Sequence, residues 1–346
     1  MKIDFPLAIK VSESQRDEVE FYDSLSKLVN SDIIVFTGYS FSYDLAMDLV
    51  EKLNFKPAYV VKIADSSIPE LDGILDSFGS QEITILAIGG GKVCDVAKRV
   101  AYTKAAELIL YPTIVANDGL LSPIAVISDN GTTFSLPAKM PDHVYIDLSI
   151  IRSAPSKFVI AAAFDLLSNI SATKDWQYAA EKSEESLNHL AFQLSRMAAY
   201  QLLDCVSWEL TSDEFLRSVI HGQILSAIAM AYAGSSRPCS GSEHLISHAL
   251  DKLNLGENLL HGQKVGRATL FTTYLQGNCS PKVLELFKEF KMPRTLVDEY
   301  LSEKVILQVF ECSRTVRPGR KTIIDNYSNE ELLQRYNQFQ SEELIL

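Results

Sequence analysis

Hydrophobic and polar positions change rhythm near the middle of the chain. Up to about residue 150, short apolar runs bounded by turn residues alternate with stretches of helical spacing. Asp32-Ile33-Ile34-Val35-Phe36-Thr37-Gly38 is a β-rich run closed by glycine, and residues 42–53 follow with a helical pattern. Tyr59-Val60-Val61-Lys62-Ile63 repeats the strand signal, and Ser67-Ile68-Pro69-Glu70 caps another helix. Residues 83–88 and 108–113 are further buried strands, and 144–147 is one more. Two apolar runs, 124–128 and 132–136, flank Asp129-Asn130-Gly131 and predict a hairpin. Strands alternating with helices imply a parallel sheet.

From Ser149 onward the pattern is one of long amphipathic helices with short breaks. A boundary near residue 150 follows, with an α/β domain over 1–150 and an all-α domain over 151–346. Residues 183–204 and 212–233 read as bundle helices. Another helix carries Glu243-His244-Leu245-Ile246-Ser247-His248, and Gly256 is its expected C-cap, letting the chain double back to His261.

At 346 residues, with 47% hydrophobic and 22% charged residues, the chain is long enough for two cores and carries no low-complexity tract. A formal charge of -12 argues against a nucleic-acid binder. Met1-Lys2-Ile3-Asp4-Phe5-Pro6 has an acid and a proline where a signal peptide would be apolar, and no apolar stretch reaches a membrane span. A cytoplasmic location is therefore expected. The 5 cysteines are widely spaced with no CxxC pair, as suits reduced thiols in packing roles.

Candidate chemistry concentrates at five places. His244 and His248 lie one helical turn apart on one face, and His261 completes 3 of the 6 histidines within 18 residues. Paired helical histidines are commonly surface or core residues, but with one added carboxylate this set suits a zinc-like ion with an open position. Asp165, set among Ala161-Ala162-Ala163-Phe164 and Leu166-Leu167, is an acid in apolar surroundings that calls for a cation or a core hydrogen bond. His143, His189 and His221 have no evident partner and read as structural or exposed. Gly89-Gly90-Gly91 runs from a strand into a helix, so its backbone can meet a pyrophosphate; the alternative is a tight turn needing positive φ. Asp118, in Asn117-Asp118-Gly119, follows a parallel strand where ligands bind, although the triplet is also plain turn chemistry. Arg237, in the serine-rich loop 234–242, either holds an anion such as phosphate or is an exposed arginine in a helix-entry loop.

Taken together, GGGKVCDVAK, PTIVANDGLLSP, FDLLSN, SRPCSGSEHLISHALD, LHGQKVG and Val316-Arg317-Pro318-Gly319-Arg320 resemble the sn-glycerol-1-phosphate dehydrogenases. That family lies within the iron-containing alcohol dehydrogenase and dehydroquinate synthase superfamily. The resemblance spans about residues 30 to 325. It implies a Rossmann-like NAD(P)-binding domain, a dehydroquinate synthase-like helical metal domain, an active site between them and a homo-oligomer. By motif, Gly89, Gly90, Gly91, Asp95, Thr113, Ala116 and Ser122 match contacts to NAD or NADP. Asp165, His244 and His261 match ligands of one divalent ion, with zinc expected and iron or nickel also fitting. Asp118, Asp165 and His248 match substrate contacts, Asp118 and His248 being the catalytic candidates.

The chain departs from that pattern at Asn117, where the family usually has histidine, and at Gln263-Lys264, where it usually has Glu-Gln. It departs also at Phe164 in place of glycine, an aromatic expected to narrow the pocket. The implied reaction is reversible hydride transfer between sn-glycerol 1-phosphate and dihydroxyacetone phosphate. Alternatives are a dehydrogenase of glycerol or another polyol, a dehydroquinate synthase-like cyclase, and a ligand-binding descendant without the chemistry.

Overall fold

The computed structural model describes residues 8–12, 15–29, 32–78, 83–115, 120–129, 132–182 and 185–342. They fall into two compact units, one ending at Ser156 and the other running from Lys157.

The first unit contains β1 (Ala8–Ser12), α1 (Gln15–Ser26), β2 (Ile33–Thr37), α2 (Phe41–Lys52), β3 (Tyr59–Lys62), α3 (Ile68–Ser77), β4 (Thr84–Gly89), α4 (Gly91–Lys104) and β5 (Glu107–Pro112). The hairpin β6 (Ile124–Asp129) and β7 (Thr132–Pro137), then β8 (His143–Asp147) and α5 (Leu148–Ser153), complete it. Six strands form one parallel sheet in the order β1-β8-β5-β4-β2-β3. Sequence dictates which strands are central. Every residue of β2 is buried, as are those of β4 after Thr84 and of β5 after Glu107, because a strand covered on both faces needs a continuous apolar run. At the edge, Tyr59 and Val60 of β3 are exposed. Ser67 caps α3 as expected, its hydroxyl accepting from the Glu70 N–H at 3.3 Å.

β1 is the strand that the apolar pattern did not announce. Ala8-Ile9-Lys10-Val11-Ser12 is short and carries a lysine, and it forms by pairing with β8 at the sheet edge. β2 and β4 are neighbours, yet the chain leaves β2 towards β3 and leaves β4 towards β5. Such a reversal opens a crevice beyond the carboxyl ends of the two strands, the usual ligand position in this kind of sheet. The triglycine turn follows β4 at that point.

The second unit is helical: α6 (Ser156–Leu167), α7 (Asn169–Glu181), α8 (His189–Leu203), α9 (Asp213–Ala233), α10 (Ser242–Lys252), α11 (His261–Leu275), α12 (Pro281–Glu289), α13 (Glu303–Ser313) and α14 (Asn329–Ser341). Single 3-10 turns lie at Arg237–Cys239 and Ile323–Asn326. α8 starts later than the periodicity suggests, because Asn188 caps it by accepting the Ala191 N–H at 3.1 Å. α10 also ends earlier than expected. Asn254, at φ 54°, takes the left-handed residue's place and sends the Leu255 N–H back to the Leu250 carbonyl at 2.9 Å; Gly256 is a second left-handed residue beyond it.

Candidate metal centre and active site

Asp165 on α6, His244 on α10 and His261 at the start of α11 converge within the helical unit. His244 Nε2 lies 3.5 Å and His261 Nε2 3.7 Å from Asp165 Oδ1, and one donor atom from each residue falls within 4.8 Å of the others. Those separations are long for hydrogen bonds but close to the roughly 3.4 Å expected between ligands that share a tetrahedral ion at bonds of about 2.1 Å. Behind His244, Nδ1 meets Glu243 Oε1 at 3.0 Å. An Nδ1–H donating to that carboxylate leaves Nε2 as the acceptor facing Asp165 and His261, the arrangement found behind metal-binding imidazoles. Burial pushes the His244 pKa down, but hydrogen bonds and charge from Asp165 and Glu243 outweigh it and raise the pKa to about 9. The same negative field favours a cation. Donor types, distances and support from Glu243 together fit one divalent ion.

Close backbone approach brings the ligands together. A Cβ on Gly262 would lie 2.0 Å from the Ala161 carbonyl oxygen, and one on Gly266 would lie 2.6 Å from Phe164 Cβ. Glycine at those two positions lets α11 lie directly on α6 beside Asp165. Phe164 does not narrow a pocket as expected; it is fully buried against Gly266 and the rings of Phe287 and Phe290. The two unusual residues after His261 also have structural work. Gln263 Oε1 accepts the Leu260 N–H at 2.9 Å at the head of α11, and Lys264 joins Asp251 of α10 at 2.5 Å.

His248 stands beside the cluster, with its ring 6.2 Å from that of His244 and 5.8 Å from that of His261. Its Nε2 lies 3.1 Å from Arg317 Nη2, so Arg317 donates and the neutral ring carries its proton on Nδ1. Burial, then the nearby charges of His261, Arg317, His244 and Arg320, hold its pKa well below the ordinary imidazole value.

Arg237, expected either to hold an anion or to be exposed, is buried and already paired. It is 4% exposed, pairs with Glu185 at 2.6 Å, and donates to the carbonyls of Asp175 at 3.1 Å and Lys321 at 2.5 Å. The arginines missed by sequence reasoning are Arg317 and Arg320, although their motif is conspicuous. Arg317 donates to Ser236 Oγ at 2.8 Å, and Arg320 donates to the Ser240 carbonyl at 2.7 Å. With Arg237 they line a cavity of about 420 Å³ that also includes Trp176, Glu185 and Ser235.

In the α/β unit, the triglycine turn has no positive φ; Gly90 is the N-cap of α4 at φ -84°, with no side-chain cap. Gly89 is needed because a Cβ there would lie 2.7 Å from Val93, whereas a Cβ on Gly91 would meet nothing within 4 Å. The Thr113 N–H donates to the Gly89 carbonyl at 3.0 Å, which ties the end of β5 to that of β4. Asp95 lies 3.6 Å from the fully buried Lys98, whose ammonium reaches the Ile124 carbonyl, as the Ser122 hydroxyl does at 3.3 Å. Burial raises the Asp95 pKa to about 6 against the pull of Lys98. Gly89, Asp95, Thr113 and Ser122 are thus brought into one region, and Lys98 is the member sequence reasoning gave no role. Ala116 and Asp118 lie outside the described residues. His143 sits in β8 beside Glu107 at 3.6 Å, and His189 and His221 are exposed on helices, away from the cluster.

A parallel α/β unit and a helical unit holding an Asp/His/His cluster define a metal-dependent alcohol dehydrogenase, and residues 20–155 match the family described as iron-containing alcohol dehydrogenase. A glycerol-1-phosphate dehydrogenase [NAD(P)+] of Pyrococcus horikoshii is 31% identical over 327 residues, covering 93% of each chain. Its counterpart from Methanobrevibacter smithii is 34% identical over 311 residues, 88% of each chain. The chain belongs to the glycerol-1-phosphate dehydrogenase family. It shares its fold with the crystal structure of a probable glycerol dehydrogenase from Sinorhizobium meliloti, at a TM-score of 0.71, 19% identity and 98% coverage of each chain.

Proposed function

We propose that the protein is a zinc-dependent oxidoreductase that interconverts sn-glycerol 1-phosphate and dihydroxyacetone phosphate with NAD(P). The observation that carries this reading is the meeting of Asp165 Oδ1 with the Nε2 atoms of His244 and His261, backed by Glu243. Two imidazoles and one carboxylate suit zinc with a fourth position open to substrate, and the relatives' names supply the substrate and cofactor. Held by Asp165, His244 and His261, a divalent ion would supply Lewis acidity toward the substrate oxygen, and NAD(P) would supply the hydride acceptor or donor.

The chain's own residues do the rest. Asp165, His244 and His261 hold the ion, with Glu243 fixing the His244 ring. Neutral His248, its Nε2 held by Arg317, keeps an N–H on Nδ1 for a substrate oxygen. The uncapped start of α4 at Gly90-Gly91 offers backbone N–H groups to the dinucleotide phosphates. In the oxidative direction C2 would give up a hydride, for which NAD(P)+ would be the acceptor, and the hydroxyl would give up its proton to solvent water, leaving the ketone.

The test is His261→Ala, assayed by metal analysis and by NAD(P)H formation from glycerol 1-phosphate. Loss of bound zinc together with a fall of about a thousandfold or more in turnover is expected. Full turnover by a metal-free variant would end the reading, and substrate conversion without net NAD(P)H change would point to cyclase chemistry instead.

A further inference from the structure

We propose that the cavity walled by Arg317, Arg320 and Ser235 receives the phosphoryl end of the substrate, with Arg317 gripping the phosphate and positioning His248 at once. The idea rests on the reading that the substrate is a polyol phosphate.

Charge comes first. Arg237, Arg317 and Arg320 share the lining, and its one carboxylate, Glu185, is already engaged by Arg237 at 2.6 Å. Arg320 makes no salt bridge among the described residues; it donates only to neutral oxygens, the Ser240 carbonyl at 2.7 Å and Ser236 Oγ at 3.3 Å. Burial, and then the charges of Arg317 and Arg237, push its pKa down to about 9. Crowded guanidinium groups of this kind are relieved by an anion with several acceptor oxygens, and a phosphate monoester matches their forked donors.

The two guanidinium groups are also preorganised. Ser236 Oγ receives both arginines, from Arg317 at 2.8 Å and from Arg320 at 3.3 Å, which fixes the two side chains from behind. Gly319, at φ 83°, takes the left-handed conformation of the tight turn that returns Arg320 to the wall already formed by Arg317.

Arg317 Nη2 lies 3.1 Å from His248 Nε2, and the His248 ring lies 5.8 and 6.2 Å from the two imidazoles of the metal cluster. Arg317, on the cavity wall, thus touches the ring that stands beside the metal cluster. One guanidinium thereby joins recognition of the phosphate to orientation of the histidine.

The experiment uses zinc-loaded protein, calorimetric titration with inorganic phosphate, and steady-state kinetics with glycerol 1-phosphate. Wild type is expected to bind one phosphate per chain, competitively with substrate. Arg320→Gln should weaken phosphate binding and raise the substrate KM roughly 10- to 100-fold, with kcat and zinc content nearly unchanged. If that variant fails to fold, Ser236→Ala, which removes the hydroxyl holding both arginines, should weaken phosphate binding roughly 3- to 10-fold. Normal turnover with phosphate affinity and KM untouched by these substitutions would overturn the pocket and leave the reaction standing. Arg320-dependent phosphate binding without turnover of glycerol 1-phosphate would uphold the pocket and overturn the substrate reading.

Discussion

Glu243 directly precedes a candidate metal ligand, fully buried, with Oε1 shared between the His244 ring and the Gly241 N–H at 2.5 Å. Adjacent helical residues point about 100° apart, so sequence spacing alone gives no reason to join Glu243 to its neighbour's ring. The bend at Gly241 brings them together, and only glycine fits there: a Cβ would lie 2.6 Å from Asp175 Oδ2. Replacing Glu243 with glutamine keeps the shape but removes the anion that holds the Nδ1 proton. Zinc affinity should fall roughly 10- to 100-fold, read by competition with a chromogenic chelator. Unchanged affinity would show that Glu243 serves packing alone. His244 and His261 were legible as candidates because their chemistry is rare and clustered. Arg317 and Arg320 went without a role because nothing local says which partners a late turn will meet.

Between elements, α6 and α11 meet through Gly262 and Gly266, spaced four residues apart on α11. The first sits on the Ala161 backbone, which cannot rotate aside as a side chain would. Gly262→Ala should therefore cost about 3 kcal/mol in urea unfolding and loosen zinc with it, because the helix that begins with His261 has to back away from Asp165. Gly91→Ala provides the contrast. With nothing within 4 Å of the added methyl, melting should be unaffected while the KM for NAD(P) rises if the turn receives the cofactor. An unchanged cofactor KM would remove Gly91 from the binding site. The central strands were readable because doubly covered strands are uniformly apolar; β1 was not, since its form depends on β8 far along the chain. The end of α10 was misplaced because asparagine can adopt the left-handed cap as glycine does.

At the scale of the whole molecule, the change from alternating strands and helices to helices alone was plain in the sequence; the compact units divide at Ser156 and Lys157. No helix among the described residues is long and apolar enough to cross a membrane. Specific contacts between distant segments were beyond sequence reasoning, since periodicity reports which face is buried and not against what. Because the proposed ion is held by three helices, it should also stabilise the fold. Zinc at a hundredfold excess over its Kd adds about 2.7 kcal/mol, so chelation should lower the melting temperature by several degrees and zinc should restore it. An unmoved transition would mean that the ion is not part of the folded architecture. Trp176, on the wall of the arginine-lined cavity with its indole N–H on the Ser186 carbonyl at 3.1 Å, is one of only 2 tryptophans. The other, Trp208, is anchored to the Leu202 carbonyl at 3.0 Å and is not among the residues lining the cavity. Evolution has thus left an intrinsic fluorophore beside the arginines, and with Trp208 replaced by phenylalanine the emission of one ring would become an optical gauge of whether that chamber is filled.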